Sequence, residues 1–464
     1  MKGFVPTPKP VVDLMVDKLF RGRHPSGGLR ILDPGCGRGA FIEGVLRWCN
    51  ARRVEPPTIV GIDSNPSHVR HCRERFVGIP QVEVAEGDFL AESYPAFDFV
   101  VGNPPYVSLG ALSSDERTRY RGVYQTATGR FDLYLLFFEQ ALRHLSPGGR
   151  LVFITPEKYC YVEAARPLRR LLSQWCVEEL HFLTENTFED LITYPLVTTI
   201  TRFRGGSDVR VIDRTGATKS IRLSTHEGSW MPAIRGASVS SGMVRLEDVA
   251  LRVSCGVATG ADAVFMVRTN QLDPSLQRFA RPTVSGREIT STQLPQLSWS
   301  LLVPYDNAGH LIPPERLGAL GVFLERDDRR KVLERRYCVA SKPWYAFHET
   351  PPLTAILRPK ILCKDIGAEP LFVVDHQGDI VPRHSTYYIV PAHPTHLDEL
   401  ADYLNSDEAR TWLLNHCQRA ASGFVRVQSH VLKRLPLPPS LARLAPMLPL
   451  EPETALSPHD NSVR

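Results

Sequence analysis

Asn103-Pro104-Pro105-Tyr106 follows the apolar run Phe97-Asp98-Phe99-Val100-Val101-Gly102. Read as a buried strand that ends in a rigid turn, this pattern sets an amide beside a free proline carbonyl. Proline locks φ and restricts the residue before it, so both groups point one way. Two acceptors aimed at one point suit an exocyclic amino group, and Tyr106 supplies a face for a flat ring. In an open α/β sheet the carboxyl ends of the strands are where ligands bind. A Pro-Pro turn can also be purely structural, so its surroundings decide.

Three other strand ends carry acids. Asp33-Pro34-Gly35-Cys36-Gly37-Arg38-Gly39 lies between a strand pattern and a helix pattern. Glycines there let a ligand approach the backbone, and the helix start offers unpaired amides. The alternating Gly35, Gly37 and Gly39 do not match the Gly-x-Gly-x-x-Gly dinucleotide fingerprint. Asp63 closes Val60-Gly61-Ile62-Asp63, where an acid serves ribose hydroxyls. Asp88-Phe89 adds an acceptor and an aromatic face that suit adenine. Each alone reads as readily as a capped helix or a core phenylalanine. Four successive tips bearing Asp, Asp, Asp-Phe and Asn-Pro-Pro-Tyr fit one nucleoside-like, positively charged ligand beside one amino-bearing ring. S-adenosylmethionine meets that description.

The elements that must position these tips alternate. Strand patterns fall at 29–33, 58–63, 81–85, 97–101 and 150–155, with helix patterns at 11–19, 39–48, 66–76, 131–145 and 166–175. The helix over 131–145 is expected to close at Ser146-Pro147-Gly148-Gly149. Such alternation predicts an α/β fold, a mostly parallel, Rossmann-like sheet covered on both faces. Two further strands, near 177–183 and 196–203, have little between them and predict an antiparallel hairpin at one edge. The break at 203–208 predicts domains at 1–204 and 205–448, the second an α+β region. Short β-like runs at 264–267, 371–374 and 386–390 and helices near 397–418 belong to it. Residues 449–464, rich in Pro, Ser and acids, are expected to form a disordered tail.

A chain of 464 residues has room for two or three domains. Residues 1–204 carry 25 Lys and Arg against 23 Asp and Glu, and the remainder 30 against 27, so neither half is a basic arm. A polyanion surface must then come from local arrangement. The nine cysteines include no Cys-x-x-Cys, which argues for a reducing cytoplasm and against a zinc site or disulfide frame. No apolar run approaches the ~20 residues of a membrane span, and the start lacks a signal-peptide core. No metal is expected, and a cytoplasmic location is.

In order along the chain, Phe4-Val5-Pro6-Thr7-Pro8, Ile31–Phe41, Val60–Asp63, Gly87-Asp88-Phe89-Leu90, Gly102–Tyr106, Gly129–Tyr134 and Leu145–Pro156 resemble the γ-class N6-adenine DNA methyltransferases of the TaqI type. Farther on, Gly256–Gly260, Val284–Ile289, Lys342–Ala346 and Leu432–Pro438 resemble their target-recognition elements. The resemblance implies a site-specific methyltransferase that moves a methyl group from S-adenosylmethionine to N6 of a flipped adenine in double-stranded DNA. It places Thr7 near the cofactor's carboxylate, Asp33 near its amino group, with Pro34, Gly35, Cys36, Gly37 and Gly39 forming the loop. Asp63 takes the ribose, and Asp88 and Phe89 the adenine. Asn103, Pro104, Pro105 and Tyr106 become the catalytic turn, Asn103 also counted among the cofactor-binding residues, with Phe188 on the other side of the target base or, equally, in the core. Arg281, Arg287, Lys342, Lys364, Arg426 and Lys433 become candidate contacts to phosphate or guanine, with solvated surface charge as the competing reading for each. Trp344 and Tyr345 are expected to pack. A monomer is expected, with a separate restriction endonuclease or other defence subunit left open and no membrane partner. Asn-Pro-Pro-Tyr also serves methyltransferases of protein glutamine and of ribosomal RNA guanine, and a DNA-recognition subunit without transfer activity is a further alternative.

Overall fold

The computed structural model describes residues 4–188, 193–202, 208–223, 228–236, 244–419 and 424–444. The expected tail at 449–464 lies outside them. The chain divides into two compact units, 1–239 and 240–464.

The first unit is built on nine strands: β1 (Arg30–Pro34), β2 (Thr58–Asp63), β3 (Val82–Glu86), β4 (Phe97–Gly102), β5 (Leu145–Pro156), β6 (Cys176–Phe182), β7 (Pro195–Thr201), β8 (Val209–Ile212) and β9 (Thr218–Ile221). They form one sheet in the order β3-β2-β1-β4-β5-β7-β6-β8-β9. The first five strands are mutually parallel. The apolar runs of β1, β2, β4 and β5 are buried on both faces, as inner parallel strands require, whereas β3 at the sheet edge is half-buried to exposed. The strand order reverses between β1 and β4, and the carboxyl ends there flank the crevice where doubly wound sheets bind ligands.

Helices α1 (Lys9–Leu19), α2 (Ala40–Arg52), α3 (Pro66–Arg75), α4 (Ser114–Val123), α5 (Leu133–Arg143) and α6 (Arg166–Leu172) accompany the sheet. α5 is buried from Tyr134 to Leu142, as a helix apolar on nearly every face must be. Its one acid, Glu139, is held by the backbone N–H groups of Gln125 and Thr126 at 3.2 and 2.9 Å.

Three sequence expectations change. The turn foreseen at 146–149 is part of β5, which already pairs with Phe97 at Leu145 and has a bulge opposite Asp98. A side chain at Gly149 would lie 2.8–2.9 Å from the carbonyls of Ser146 and Asp98, so only glycine fits that bulge. The antiparallel pair is present as β6 and β7, but β7 sits between β5 and β6, and antiparallel β9 is the edge. The break expected at 204 therefore falls within one sheet, since β8 and β9 follow it and the unit runs on to 239.

The second unit contains β10 (Ala250–Cys255), β11 (Met266–Arg268), β12 (Ala280–Val284), β13 (Trp299–Leu302), β14 (Lys360–Lys364), β15 (Ile366–Gly367), β16 (Phe372–Asp375), β17 (Val381–Pro382), β18 (Thr386–Pro391), β19 (Gln418–Arg419) and β20 (Val425–Arg426), with helices α7 (Leu397–Leu404) and α8 (Asp407–His416). They make three small sheets, β10-β18-β14-β16, β11-β13-β12-β17 and β15-β20-β19. The architecture is α+β, as the broken β-like runs predicted. No helix among the described residues is long and apolar enough to cross a membrane.

Candidate active site

Strand-end geometry brings the sequence-predicted residues together. β1 delivers Asp33 at its carboxyl end, 1% exposed, and neither carboxylate oxygen has a hydrogen-bond partner. Burial holds its carboxyl well above the usual range, with Cys72 and the neighbouring Asp63 adding to the effect. Burial thus favours the protonated form, and a buried ligand ammonium would favour the carboxylate. The next strand makes room for it: a side chain on Gly102 would come within 3.2 Å of Asp33 Oδ1.

The loop after β1 is tied to β2. Gly35 and Cys36 donate backbone N–H groups to the Ile62 carbonyl at 2.7 and 3.0 Å, and Gly37 donates to Asp63 Oδ2 at 2.8 Å. Gly37 has φ +54°, and a side chain there would run into the Phe4 ring. Pro34 and Cys36 are buried beneath the loop, and Gly39 occupies the left-handed conformation at the start of α2. Asp63 Oδ1 accepts from the Asn65 backbone at 2.8 Å and lies 3.3 Å from His68 Nδ1. Asp88 accepts from Leu90 N–H at 3.0 Å and pairs with Arg119 at 2.9 Å. Phe89 is buried against Tyr94 and Phe137.

Asn103 stands at the end of β4. Its Nδ2 donates to the Val5 carbonyl at 3.0 Å and to Thr7 Oγ1 at 3.1 Å, whereas Oδ1 is buried without a partner. The carbonyl of the buried Pro104 accepts no hydrogen bond from the described residues. A cavity of about 530 Å³ is lined by Gly35, Asp63, Asp88, Phe89, Asn103 and Pro105, among others. Tyr106 donates to the Ile154 carbonyl at 3.4 Å, and burial pushes its hydroxyl pKa up. Phe188 lies in the core cluster of α1, α2 and the sheet, and yet its ring meets Tyr106 edge-on with centroids 6.4 Å apart. Phe188 is thus a core residue whose ring also neighbours Tyr106.

S-adenosylmethionine fits this donor set. Asp33 offers two orphaned buried oxygens for an ammonium, Asp63 and Asp88 are acids on the cavity wall, and Phe89 gives an apolar face. Several cavity residues escaped sequence reasoning, His68, Glu116 and Tyr120 among them. His68 is 3% exposed and its Nε2 has no partner. Its signal was its place in the first turn of the helix that Asn65-Pro66 starts directly after Asp63.

The second unit separates the six basic candidates. Segments 284–287, 364–367, 383–386 and 424–427 converge: Arg383 N–H donates to Val284 O, Asp365 N–H to Ser385 O, and Val427 N–H to Asp365 O. Exposed Arg287 and Arg426 and half-buried Lys364 belong to these segments. Arg281 instead reaches Asn307, Lys342 donates to the His348 carbonyl, and Lys433 lies beside Glu247 and β10. Tyr345 is buried with its hydroxyl on the Ile312 carbonyl, and Trp344 carries Arg330 over its ring, so both pack as expected. Among the described residues no cluster could hold a metal ion.

Comparison with known proteins places both units. Residues 59–188 match the Eco57I restriction-modification methylase family, and residues 329–437 match the TaqI-like C-terminal specificity domain. The chain is 28% identical to the Type II methyltransferase M.PaeR7I of Pseudomonas aeruginosa, over 94% of this chain and 86% of the relative. It is 25% identical to the Type II methyltransferase M.XhoI of Xanthomonas vasicola, over 78% of this chain and 72% of that one. Among solved structures, the Type IIL restriction-modification enzyme MmeI in complex with DNA aligns with TM-score 0.63 at 14% identity, over 92% of this chain and 63% of its own, which shows a shared fold. With the methylase signature across the strand ends and the specificity signature in the second unit, the chain is recognised as a restriction–modification methyltransferase of the TaqI type, a class that takes its methyl group from S-adenosylmethionine and acts on DNA.

Proposed function

We propose that the first unit transfers a methyl group to N6 of an adenine turned out of duplex DNA, and that the second unit reads the surrounding sequence. The observation that carries this reading is Asn103 Oδ1, a buried acceptor without a partner on the wall of the cavity that Asp63 and Asp88 also line. Leaving a buried acceptor unsatisfied costs about 1–3 kcal/mol, so such an atom points to a ligand donor. Asn rather than Ser before Pro-Pro favours adenine over cytosine as the source of that donor.

Bound in the cavity, S-adenosylmethionine supplies an activated methyl group, so positioning matters more than acid–base help. Asp33 would hold the cofactor's ammonium, Asp63 its ribose hydroxyls, and Asp88 its adenine amino group. Asn103 Oδ1 and the Pro104 carbonyl would accept the two hydrogens of the target amino group. That draws the nitrogen out of conjugation with its ring and exposes its lone pair. The surplus proton leaves to water. A base inside the duplex cannot reach these acceptors, so it must be flipped, and stacking offsets part of the unpairing cost. Tyr106 supplies one face; Phe188 would have to turn from its edge-on position to supply the other. Arg287, Lys364 and Arg426, on segments that meet, are the proposed DNA contacts of the second unit.

The test is modified-base sequencing of DNA from cells expressing the chain or its Asn103→Ala variant, with single-turnover rates on a marked site. Wild type should mark adenine N6 in one motif. Asn103→Ala should lower the rate by about 10²–10³-fold, the loss typical of removing one reaction-centre hydrogen bond, while cofactor affinity holds. Wild-type turnover in that variant sinks the reading. A protein that binds cofactor but marks only RNA or protein glutamine replaces it.

A further inference from the structure

We infer that the N-terminal strap Phe4–Pro8 is a positioning element: the Val5 carbonyl and the Thr7 hydroxyl fix which atom of the Asn103 amide faces the substrate. This rests on the transfer reading above and adds a role for Thr7 beyond cofactor contact.

Amide oxygen and nitrogen are nearly alike in shape, so an asparagine can present either one unless its neighbours discriminate. Here they do. The Val5 carbonyl can only accept, so the atom 3.0 Å from it must be the nitrogen. Thr7 Oγ1, 3.1 Å away, takes the second amide hydrogen. Both donors are then spent on the strap, and Oδ1 is left buried without a partner. A flipped amide would set Oδ1 against the Val5 carbonyl and offer an N–H donor to an amino group that is itself a donor. The strap therefore fixes the polarity of the site before any substrate arrives.

The strap is held at both ends. At one end the Phe4 ring occupies the space a side chain on Gly37 would need and packs on His68 with centroids 4.7 Å apart. At the other, the Pro8 carbonyl accepts N–H groups of Val11 and Val12 at 3.0 Å, which starts α1, and that helix buries Val12, Met15, Val16 and Leu19. Two prolines, Pro6 and Pro8, stiffen the chain between. The contact between Asn103 and Thr7 joins positions 96 apart in sequence.

Thr7→Val keeps the shape and removes the acceptor; Thr7→Ser restores it. Methyl transfer to an adenine-containing duplex is measured in single turnover at saturating cofactor, alongside the cofactor dissociation constant. In parallel, solvent exchange of the two Asn103 Nδ2 protons is followed by NMR without cofactor, the signals being assigned by their absence from Asn103→Ala. We expect Thr7→Val to slow the saturated step about tenfold, the size of one hydrogen bond, and to speed amide exchange, with Thr7→Ser within about threefold of wild type in both. An unchanged saturated rate with only weaker cofactor binding overturns the inference. So does a Thr7→Ser as slow as Thr7→Val, or amide exchange that Thr7→Val leaves untouched. A wild type that never methylates adenine refutes the transfer reading instead, and the exchange measurement still decides whether the strap clamps the amide.

Discussion

Each unit has a strand that delivers an aspartate into the interior, and the two sit in opposite chemical surroundings. Asp375 at the end of β16 and Asp33 near the end of β1 are both 1% exposed. Asp375 is paired with buried Lys360 and accepts the backbone N–H groups of Gly378 and Ile380 at 2.8 and 3.2 Å. Asp33 has no partner on either oxygen. Burial alone therefore does not distinguish a structural acid from a ligand-seeking one; satisfaction of the oxygens does. The first ties β16 to β14 and to the turn that follows, and the second keeps both oxygens without a partner.

Removing each acid should break different properties. Asp375→Ala leaves the Lys360 ammonium buried and unpaired, which costs about 3–5 kcal/mol. Hydrogen exchange should show the second unit loosened throughout, with protection of β1–β5 retained. A variant as stable as wild type would mean that Lys360 finds another partner or deprotonates without strain. Asp33→Asn should do the reverse. With no native partner to lose and no buried carboxyl to ionise, it should leave the cofactor-free protein at least as stable as wild type at neutral pH. It should weaken S-adenosylmethionine binding by roughly 1.5–3 kcal/mol, the worth of hydrogen bonds to a charged group. Calorimetry reads both.

The same contrast predicts a pH signature of smaller size. The folded-state pKa of Asp33 is raised, first by burial. A raised folded pKa gives stability that is present below the unfolded carboxyl pKa and is lost as pH rises through the folded value. The cofactor-free protein should therefore lose stability with rising pH over that window, relative to Asp33→Asn. Cofactor binding should release up to about one proton below the raised pKa, and affinity should climb with pH until Asp33 is ionised. Titration in buffers of different ionisation enthalpy measures that release, and Asp33→Asn should abolish it.

What the sequence made legible follows the range of the interactions. Asp33 and Asp63 close an apolar strand pattern, and Asn103 and Asp88 follow one within two or three residues, so short-range reading put all four at strand ends, and the parallel pattern brought those ends together. The contacts that orient them were beyond that range. Thr7 reaches Asn103, and Arg119 reaches Asp88 across 31 positions, through pairings that no local pattern announces. Helix α4 was missed because its single buried residue, Tyr120, gives it no apolar stripe. Its start was nevertheless written in Ser113 and Glu116, which form a capping box. β8 and β9 were assigned to the wrong side of the break because Gly205-Gly206 looks like a linker, whereas strand pairing with β6 is a tertiary choice.

Asp88 lies between the two extremes of the comparison and gives its mildest test. One oxygen is fixed by the Leu90 N–H, and the other pairs with Arg119 of α4, with both side chains more than a third exposed. Exposed pairs of this kind contribute about 0–1 kcal/mol. Because Leu90 already orients the carboxylate, Arg119 is not needed to aim it, and because the pair is solvated it does not hold the acid away from a ligand. Arg119→Ala should therefore leave cofactor affinity within about threefold of wild type, far less than the loss at Asp33. A drop of tenfold or more would show that Asp88 and Arg119 act as a unit. Satisfaction by a surface arginine would then belong with the binding machinery, and the line drawn between Asp375 and Asp33 would have to be redrawn by solvent exposure as well as by partner count.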